Sequence, residues 1–451
     1  MQRIHFIAIG GSAMHNIAIE LKELGIEVSG SDDEIFEPSR SRLEKAGLLP
    51  EKMGWFTEKI NEEVGIVILG MHAKADNPEL LKAQELGIIV VSYPEFLYHV
   101  TKKKKRIVIT GSHGKTTTTA MIMHVLKSEN IPFDYMIGSQ VDGFDNMVGL
   151  FSNSNIAVLE GDEYLSSAID KRSKFLWYQP DIAVITGIAW DHINVFPTIE
   201  SYVRTFIELV ETMPEGSTIY WSKYCPYTEF VIDESDIKAE THKYSSFCWE
   251  KEGDGQIYVQ HQNKKFPVKI FGNHNFQNLC AAYRVCMNLD ISEEAFFSAI
   301  STFKGAKRRL ELIKEKPNPI YYDFAHAPSK VWATVNAVRK LYPDKKITAC
   351  LELHTFSSID KDFIPQYKDT LNDSDLAYIY LDPEVMRKKC KTPFSHDYVI
   401  ESFNHKNIHI CTSSELMFDN LKIDWLGDSI LLIMSSGNLG GIDPVRWANE
   451  L

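Results

Sequence analysis

Short apolar runs recur along the chain and alternate with amphipathic segments. The first run is IHFIAI, and later ones include GIVILG, RIVIT, IAVLE, IAVIT, ITACL, LAYIY and ILLIM. Continuous runs of this kind are typical of parallel strands that are buried on both faces. Because helical segments such as NPELLKAQELG separate them, the pattern predicts an α/β protein built from doubly wound, Rossmann-like sheets.

The alternation divides into three sets, which predict three domains at residues 1–103, 104–308 and 309–451. The first set ends before RIVITGSHGKT, and the composition turns basic at FKGAKRRLEL before the third begins. Within the second set, GQIYVQHQNKKFPVKIFG alternates with a period of two and predicts a hairpin. A length of 451 residues fits two or three domains.

Charge and cysteine content exclude several classes of protein. The formal net charge is −13, whereas a nucleic-acid-binding protein usually carries a basic balance or a basic face. The one basic run, KKKKR at 102–106, has no interleaved aromatic residues, and we expect a solvated linker. Seven scattered cysteines without a C-x-x-C pair indicate reduced thiols rather than a disulfide framework or a zinc cluster.

The sequence also bears on location. MQRIHFIAIGGSAM runs directly into a strand and a glycine turn, without the apolar stretch of a signal peptide. No apolar run approaches the ~20 residues that a membrane-spanning helix needs. We therefore expect a cytoplasmic protein with no membrane partner.

The stretch ITGSHGKTTTTAMI indicates a phosphate-binding loop. A strand, a glycine turn and a helix follow one another, so that backbone N–H groups and the positive helix end point at the turn. The familiar loop is G-x-x-x-x-G-K-[ST], but here the glycines are only three residues apart. A plain strand-to-helix turn is the alternative. The candidate phosphate-binding residues are Gly111, Ser112, His113, Gly114, Lys115, Thr116 and Thr117.

Acidic residues follow two further strand-like runs of the same set. Glu160, Asp162 and Glu163 come after IAVL, and Asp191 and His192 come after IAVITGIAW. The carboxyl ends of parallel strands line the ligand crevice of an open α/β sheet. Taken singly, each cluster reads as a cap or a turn. Together with the glycine loop they predict a Mg²⁺ site that includes the Thr116 hydroxyl.

Six motifs, in order, carry a family resemblance: TGSHGKTTTTA, LEGDEY, WDHINVF, GNHNFQNLCAA, KRRLE and YDFAHAPSKV. They resemble those of the ATP-dependent Mur ligases, which use the short G-x-x-G-K-T loop. The N-terminal IHFIAIGGSAM and GIEVSGSDD resemble the UDP-binding domain of the branch that acts on UDP-N-acetylmuramate. The likeness covers essentially the whole chain. It implies a three-domain ligase that uses ATP and Mg²⁺ and passes through an acyl phosphate.

The resemblance also implies roles for individual residues. Lys115 would hold phosphate, Thr116 and Glu160 would bind Mg²⁺, and His192 would bind a second Mg²⁺. With Arg309, which would reach the γ-phosphate, Lys115, Glu160 and His192 make the catalytic set; Arg308 is a rival for that contact. The implied adenine, ribose and phosphate contacts are Asn275, Asn278, Asp323 and His326. Helix capping is the alternative for the two asparagines.

In the N-terminal domain the resemblance implies that Gly10, Gly11 and Ser12 cradle the UDP diphosphate. Asp32 ends the second strand, where a Rossmann fold binds a ribose. His72 follows another strand and approaches UDP in this interpretation, with a capping or solvent-exposed role as the alternative. Taken alone, this region also suggests a nicotinamide oxidoreductase. However, Ala8 stands where the first glycine of G-x-G-x-x-G is expected.

Two members of the family share UDP-N-acetylmuramate as a substrate. One adds L-alanine, and the other adds the recycled tripeptide L-alanyl-γ-D-glutamyl-meso-diaminopimelate. The segments DEYLSSAIDKRSKFLWYQP, FEPSRSRLEKAG and MSSGNLGGID are similar to those of the second member. Lys171, Arg172 and Lys174 would suit a peptide with several carboxylates, although a solvated basic loop is the alternative. The tripeptide is thus the leading prediction, and L-alanine is the alternative.

Departures from the family pattern refine this hypothesis. LELHTFSSID lacks the arginine-bearing motif of the alanine-adding member, and Ala327 replaces a usual second histidine. INVFPTIESYVRTFIELVET contains no lysine, so we expect no carbamoylated lysine. A nucleotide-binding module that only holds or hydrolyses ATP is the hypothesis from another class. The sequence does not predict the oligomeric state.

Overall fold

The computed structural model describes residues 3–253, 255–389 and 395–451. By their internal contacts these residues form two compact units. The first runs through Ile188 and adds Val203–Ser245 and Ala281–Ala299, whereas the second comprises Ala189–Tyr202, Ser246–Cys280 and Ile300–Leu451. Within the described ranges, no helix is both long enough and apolar enough to cross a membrane.

The first unit begins with a four-stranded parallel sheet. Its strands are β1 (Arg3–Ile7), β2 (Val28–Ser31), β3 (Val64–Leu69) and β4 (Ile89–Ser92), in the order β2-β1-β3-β4. The accompanying helices are α1 (Ser12–Glu23), α2 (Ser39–Lys45), α3 (Pro78–Glu85) and α4 (Tyr93–Thr101). A capping box between Ser92 and Glu95 begins α4, because each side chain satisfies a backbone N–H of the other's segment.

A seven-stranded sheet completes the first unit. Its strands are β5 (Lys105–Thr110), β6 (Asp134–Met136), β7 (Val148–Gly149), β8 (Ile156–Glu160), β9 (Ile182–Ile185), β10 (Thr218–Ser222) and β11 (Glu240–Tyr244). The order is β11-β10-β9-β5-β8-β6-β7, and only the β6–β7 pair is antiparallel. The helices of this region are α5 (Lys115–Ser128), α6 (Lys174–Trp177), α7 (Ile199–Glu211) and α8 (Pro226–Glu234). In the order β9-β5-β8, the strand that precedes the glycine loop lies between the two strands that precede the acidic segments in the sequence.

The second unit contains a small antiparallel sheet. Its strands are β12 (Cys248–Lys251), β13 (Ile257–His261) and β14 (Lys264–Val268), in that order. The predicted hairpin is confirmed as the β13–β14 pair. Two helices follow along the chain, α9 (Asn273–Asn288) and α10 (Glu293–Ile300). Residues 281–299, which include the second half of α9 and most of α10, belong to the first unit.

A six-stranded sheet forms the rest of the second unit. Its strands are β15 (Glu311–Lys314), β16 (Ile320–Asp323), β17 (Lys346–Glu352), β18 (Leu376–Tyr380), β19 (Ile408–Cys411) and β20 (Ser429–Met434). The order is β15-β16-β20-β17-β18-β19, with only the β15–β16 pair antiparallel. The helices are α11 (Pro328–Leu341), α12 (Pro383–Lys388), α13 (His396–Phe403), α14 (Ser414–Leu426) and α15 (Pro444–Glu450). The α/β class predicted from the apolar runs is confirmed.

The basic run at 102–106 is not the solvated linker that the sequence predicted. Lys105 and Arg106 begin β5, and the Lys104 ammonium donates to Asp134 at 2.6 Å and to Ser154 Oγ at 2.7 Å. The Arg106 side chain and backbone N–H both contact Asp181. Lys102, Lys103 and Lys105 are exposed, whereas Lys104 and Arg106 are partly buried. The prediction was wrong for Lys104 and Arg106, because carboxylates on distant segments, Asp134 and Asp181, pair with their charges.

Candidate nucleotide-binding and catalytic site

The glycine loop between β5 and α5 lies directly against the segment that follows β9. The Ser112 N–H donates to the Gly187 carbonyl at 2.8 Å. A Cβ added to Gly111, which has a φ of 117°, would lie 2.7 Å from that same oxygen. Gly114 has a φ of 76° and immediately precedes the helix. The first turn of α5 contains no acidic residue, so the N–H groups and positive dipole of this helix are suited to bind an anion.

Lys115 is held in this loop by two acceptors. Its ammonium donates to the Gly111 carbonyl at 2.6 Å and to Glu163 Oε2 at 2.8 Å. Burial lowers the pKa of Lys115, but Glu163 and then Asp162 outweigh burial, so that the pKa lies above its usual value. Lys115 is therefore cationic at neutral pH and is positioned where a phosphate would meet the loop.

Thr116 and Glu160 bring a hydroxyl and a carboxylate together at the start of α5. Thr116 Oγ1 donates to Glu160 Oε1 at 2.9 Å, and Glu160 Oε2 accepts the Gly138 N–H at 2.8 Å. Hydroxyl and carboxylate oxygens are the ligands that Mg²⁺ prefers beside a bound phosphate. The donor set thus fits Mg²⁺, and both members were predicted from the sequence.

The basic segment after this acidic loop makes local pairs. Lys174 donates to Asp162 Oδ2 at 2.6 Å. Arg172 makes two hydrogen bonds with Asp170, at 3.1 and 3.2 Å, and its guanidinium lies 3.8 Å from the centre of the Trp177 ring. The sequence reasoning proposed a common peptide-binding role for Lys171, Arg172 and Lys174. The structure directs Arg172 and Lys174 to different carboxylates, while Lys171 is exposed.

A second charged group, within the second unit, surrounds Asp191. Asp191 Oδ2 lies 3.5 Å from the Lys330 ammonium and 3.9 Å from His326 Nε2, and Oδ1 accepts the His192 N–H at 2.8 Å. Burial raises the pKa of Asp191, but Lys330, the two neighbouring histidines and the His192 N–H together outweigh burial, so that the pKa lies well below its usual range. Burial, assisted by Lys330, lowers the pKa of His326 to about 3. His326 is therefore neutral at physiological pH.

Sequence reasoning chose Asp191, His192 and His326 but missed Lys330. A signal was present, because Lys330 stands four residues after His326 in FAHAPSK, in the first turn of α11, which begins at Pro328. His192 itself has a φ of 56°, and its carbonyl accepts the N–H groups of Val195 and Phe196. The loop after β9 is thus tightly turned at the residue expected to bind metal.

The two candidate adenine contacts lie in the first turns of α9 and are both buried. Asn275 Nδ2 donates to the Phe271 carbonyl at 2.8 Å, and Asn278 Nδ2 lies 3.4 Å from Asn275 Oδ1. The Asn275 amide therefore donates back to the carbonyl four residues earlier, whereas a helix cap would accept an N–H. One residue before Asn275, burial lowers the pKa of His274 to about 4.

Arg308 and Arg309 occupy different surroundings. Arg308 donates to the carbonyls of Ser435 and Gly437 at 2.9 and 3.2 Å. Arg309 donates to the Arg308 carbonyl at 3.1 Å and lies 4.6 Å from the Phe324 ring centre.

Asp323 joins the backbone after Arg309 to the backbone after β16. Its carboxylate accepts the N–H groups of Leu310 and Ala325, both at 2.6 Å, and is buried. Burial raises the pKa of Asp323, against the opposing charge of Arg309. The carboxylate therefore has a structural role, whether or not it also contacts a ribose.

In the N-terminal sheet the candidate UDP-binding residues gather around the end of β1. Asp32 accepts the Gly10 N–H at 2.7 Å, and burial raises the pKa of Asp32 to about 6. Ala8 adopts a φ of 67°, so it takes the left-handed conformation for which glycine was expected. Gly11 precedes Ser12, the first residue of α1, and His72 is exposed after β3.

Helix α1, which follows this loop, contains polar residues that sequence reasoning missed. The buried His15 places Nδ1 at 2.9 Å from the Gly11 carbonyl and 3.1 Å from Ser39 Oγ. Asn16 donates to the Ser12 carbonyl at 2.7 Å. No sequence signal distinguished them, because they occupy interior positions of an otherwise ordinary amphipathic helix.

Comparison with known proteins places the chain among peptidoglycan ligases. A model of the Mur ligase middle domain matches residues 109–286, and a model described as the Mur ligase family catalytic domain matches residues 3–105. The UDP-N-acetylmuramate–L-alanine ligase of Lactobacillus acidophilus is 31% identical over 389 residues, which cover 84% of each chain.

Two solved structures extend the comparison. The UDP-N-acetylmuramate:L-alanyl-γ-D-glutamyl-meso-diaminopimelate ligase from Neisseria meningitides is 28% identical with a TM-score of 0.61, and the match covers 68% of this chain and 100% of that chain. A murein peptide ligase from Psychrobacter arcticus, 23% identical, shares the fold with a TM-score of 0.71 over 100% of this chain and 99% of that one.

Proposed function

Because the chain belongs to the Mur ligase family of ATP-dependent ligases that form amide bonds, we propose that it joins UDP-N-acetylmuramate to the tripeptide L-alanyl-γ-D-glutamyl-meso-diaminopimelate. The observation that carries the ATP-dependent chemistry is the loop in which Lys115 meets Glu163 and Thr116 meets Glu160. A strand-to-helix turn with a buried lysine and a hydroxyl–carboxylate pair is suited to bind a nucleoside triphosphate together with Mg²⁺.

The reaction has two steps. The carboxylate of the sugar attacks the γ-phosphorus of ATP, which gives an acyl phosphate and ADP. The amine of the peptide then attacks the acyl carbon, loses a proton and expels inorganic phosphate. The protein mainly neutralises charge and positions the reactants in line.

The residues of the glycine loop have separate tasks in this proposal. Lys115 neutralises phosphate charge, while the N–H groups of α5 bind phosphate oxygens. Thr116 and Glu160 would hold Mg²⁺, and His192 would hold a second ion. Mg²⁺, when bound, supplies positive charge to the phosphate oxygens. The predicted loop contacts are Gly111, Ser112, His113, Gly114 and Thr117.

Further residues have proposed contacts with the substrates. Asn275 and Asn278 would contact the adenine, Asp323 and His326 the ribose and phosphates, and Arg309 the γ-phosphate. Arg308 is the weaker candidate because its guanidinium already binds two carbonyls. The proposed UDP contacts are Gly10, Gly11, Ser12, Asp32 and His72. We also propose that the three domains comprise residues 1–103, 104–308 and 309–451.

The choice of tripeptide rests on the DKRSKF and MSSGNLGGID segments and on the likeness to the tripeptide ligase from Neisseria. L-Alanine is the second candidate, favoured by the 31% identity to an alanine ligase. Lys171, which is exposed, would face the peptide directly, whereas Arg172 and Lys174 would bind it while they keep Asp170 and Asp162 as partners.

A phosphate-release assay separates these candidates. The purified protein, ATP, Mg²⁺ and UDP-N-acetylmuramate are combined in turn with the tripeptide, with L-alanine or with no amine. We expect phosphate release that requires both the sugar and the tripeptide. Turnover with L-alanine but not with the tripeptide would contradict the tripeptide assignment. Equal turnover without any amine would contradict a ligase reaction.

A further inference from the structure

Three neighbouring strands of the six-stranded sheet lead to one cluster of polar side chains. Ser436 follows β20, His354 follows β17, and Lys389 follows helix α12, which comes after β18. These strands are adjacent in the order β20-β17-β18, and all are parallel. The cluster therefore lies at the carboxyl edge of the sheet, where open α/β folds bind ligands.

His354 contacts both of the other residues, Lys389 through its backbone carbonyl and Ser436 through its ring. The Lys389 ammonium donates to the carbonyl of His354 and lies 4.8 Å from the ring centre of Phe356. His354 Nδ1 lies 3.4 Å from Ser436 Oγ. Since an ammonium has three donors and the carbonyl takes one, Lys389 can still donate to a ligand.

A buried carboxylate and an arginine fix the loop that carries Ser436. Glu352, 2% exposed, accepts the Ser435 hydroxyl and the Leu439 N–H, the latter at 3.2 Å. Arg308 binds the Ser435 and Gly437 carbonyls. The loop passes so close to Glu352 that a Cβ on Gly437 would lie 2.5 Å from its Oε2. The position of Ser436 is therefore set before any ligand arrives.

The charges of the cluster favour an anion. Arg308 and Lys389 supply two cations, whereas the carboxylate of Glu352 is buried and accepts hydrogen bonds from this loop. His354 is neutral, because burial, together with Lys389 and Arg308, lowers its pKa to about 4. A carboxylate at this edge would gain a charge-assisted hydrogen bond from Lys389 and a neutral one from Ser436.

We propose that Lys389, His354 and Ser436 form a subsite for a carboxylate of an acidic peptide, and that this subsite selects the tripeptide over amines with fewer carboxylates. The inference rests on the proposed function, since it assigns the recognition of the peptide to these residues. Lys389 provides the positive charge and Ser436 provides a hydroxyl donor. His354 contacts both residues and so fixes the distance between them.

The test is a comparison of steady-state constants for Lys389→Met, which keeps the apolar stem. We expect the KM for the tripeptide to rise about 10- to 100-fold, the usual consequence of losing a hydrogen bond to a charged group. The KM values for ATP and the UDP-sugar should not change. Ser436→Ala should raise the peptide KM by a few fold, which provides a second measurement if Lys389→Met folds poorly.

Two further variants distinguish a binding role from a structural one. Lys388→Met removes the same charge from the adjacent, exposed position and should leave the peptide KM unchanged. Lys389→Arg should retain most of the peptide affinity. A tripeptide analogue with L-lysine in place of diaminopimelate, which lacks one carboxylate, should be a poorer substrate for the wild type and should lose less affinity in Lys389→Met.

Each outcome decides the question. Unchanged peptide KM values in both Lys389→Met and Ser436→Ala, with normal tripeptide turnover, would overturn the subsite alone. An equal rise in KM for all three substrates would also overturn it. A wild-type enzyme that uses L-alanine and not the tripeptide would overturn the proposed function and this subsite together.

Discussion

Thr116 Oγ1 and Glu160 Oε1 lie 2.9 Å apart and join the first turn of α5 to the end of β8. If this pair holds Mg²⁺, Thr116→Val removes a ligand oxygen and leaves the side-chain volume nearly unchanged. We expect kcat/KM for ATP to fall by about 10²- to 10³-fold and the activity to need more Mg²⁺. Initial rates measured across a Mg²⁺ titration check both effects.

Thr119→Val provides the matched control, one turn further along α5. Within the described ranges, its buried Oγ1 has no hydrogen-bond partner. Removing that hydroxyl should leave the rates and the Mg²⁺ dependence unchanged. A Thr116→Val variant that matches this control would contradict the proposed metal site.

Lys115→Ala should abolish most turnover without affecting the UDP-sugar. The variant loses the cation that meets phosphate and its ion pair with Glu163, so we expect a loss of several orders of magnitude in kcat. Because the sugar is assigned to the N-terminal sheet, calorimetry should find its Kd unchanged. Loss of sugar binding together with turnover would contradict the assignment of the two ligands to separate domains.

Arg308 and Arg309 should respond to substitution in opposite ways. Arg308→Ala removes hydrogen bonds to two carbonyls, at a cost of about 1–3 kcal/mol, and should lower the thermal midpoint. Arg309→Ala should lower kcat with little change in that midpoint. Thermal scans and rates on both variants test this. The reverse pattern would move the γ-phosphate contact to Arg308.

The strands and the glycine loop were predictable because their signals are local. Apolar runs report strands that are buried on both faces, and the order strand–glycine–lysine–helix reports an anion site. Thr116 and Glu160 were paired from sequence because both follow strands of one parallel sheet, whose carboxyl ends share an edge.

Partners that come from distant segments were not predictable. Lys104 belongs to a run of lysines that appeared solvated, yet Asp134 and Ser154 enclose its ammonium. Arg308 and Arg309 are chemically equal neighbours in the sequence. They differ because the loop after β20, more than a hundred residues away, offers its carbonyls to Arg308 and not to Arg309.

The buried His274 should make the free energy of unfolding depend on pH. Burial lowers its pKa to about 4, from an ordinary value of 6.5. Between these values the unfolded chain binds a proton that the folded chain does not, so acidification destabilises the fold. The contribution of His274 should fall by about 1.4 kcal/mol per pH unit from pH 6.5 towards pH 4. His274→Gln removes this contribution.

The measurement compares the thermal midpoints of the wild type and His274→Gln from pH 8 to pH 4.5. Above pH 7 both forms of the chain hold the same number of protons at this position, so the difference between the two proteins should be constant. Below pH 6.5 the wild type should lose stability faster, and the difference should shift in favour of His274→Gln. Parallel curves throughout would show that His274 gains a proton as readily in the folded chain as in the unfolded one.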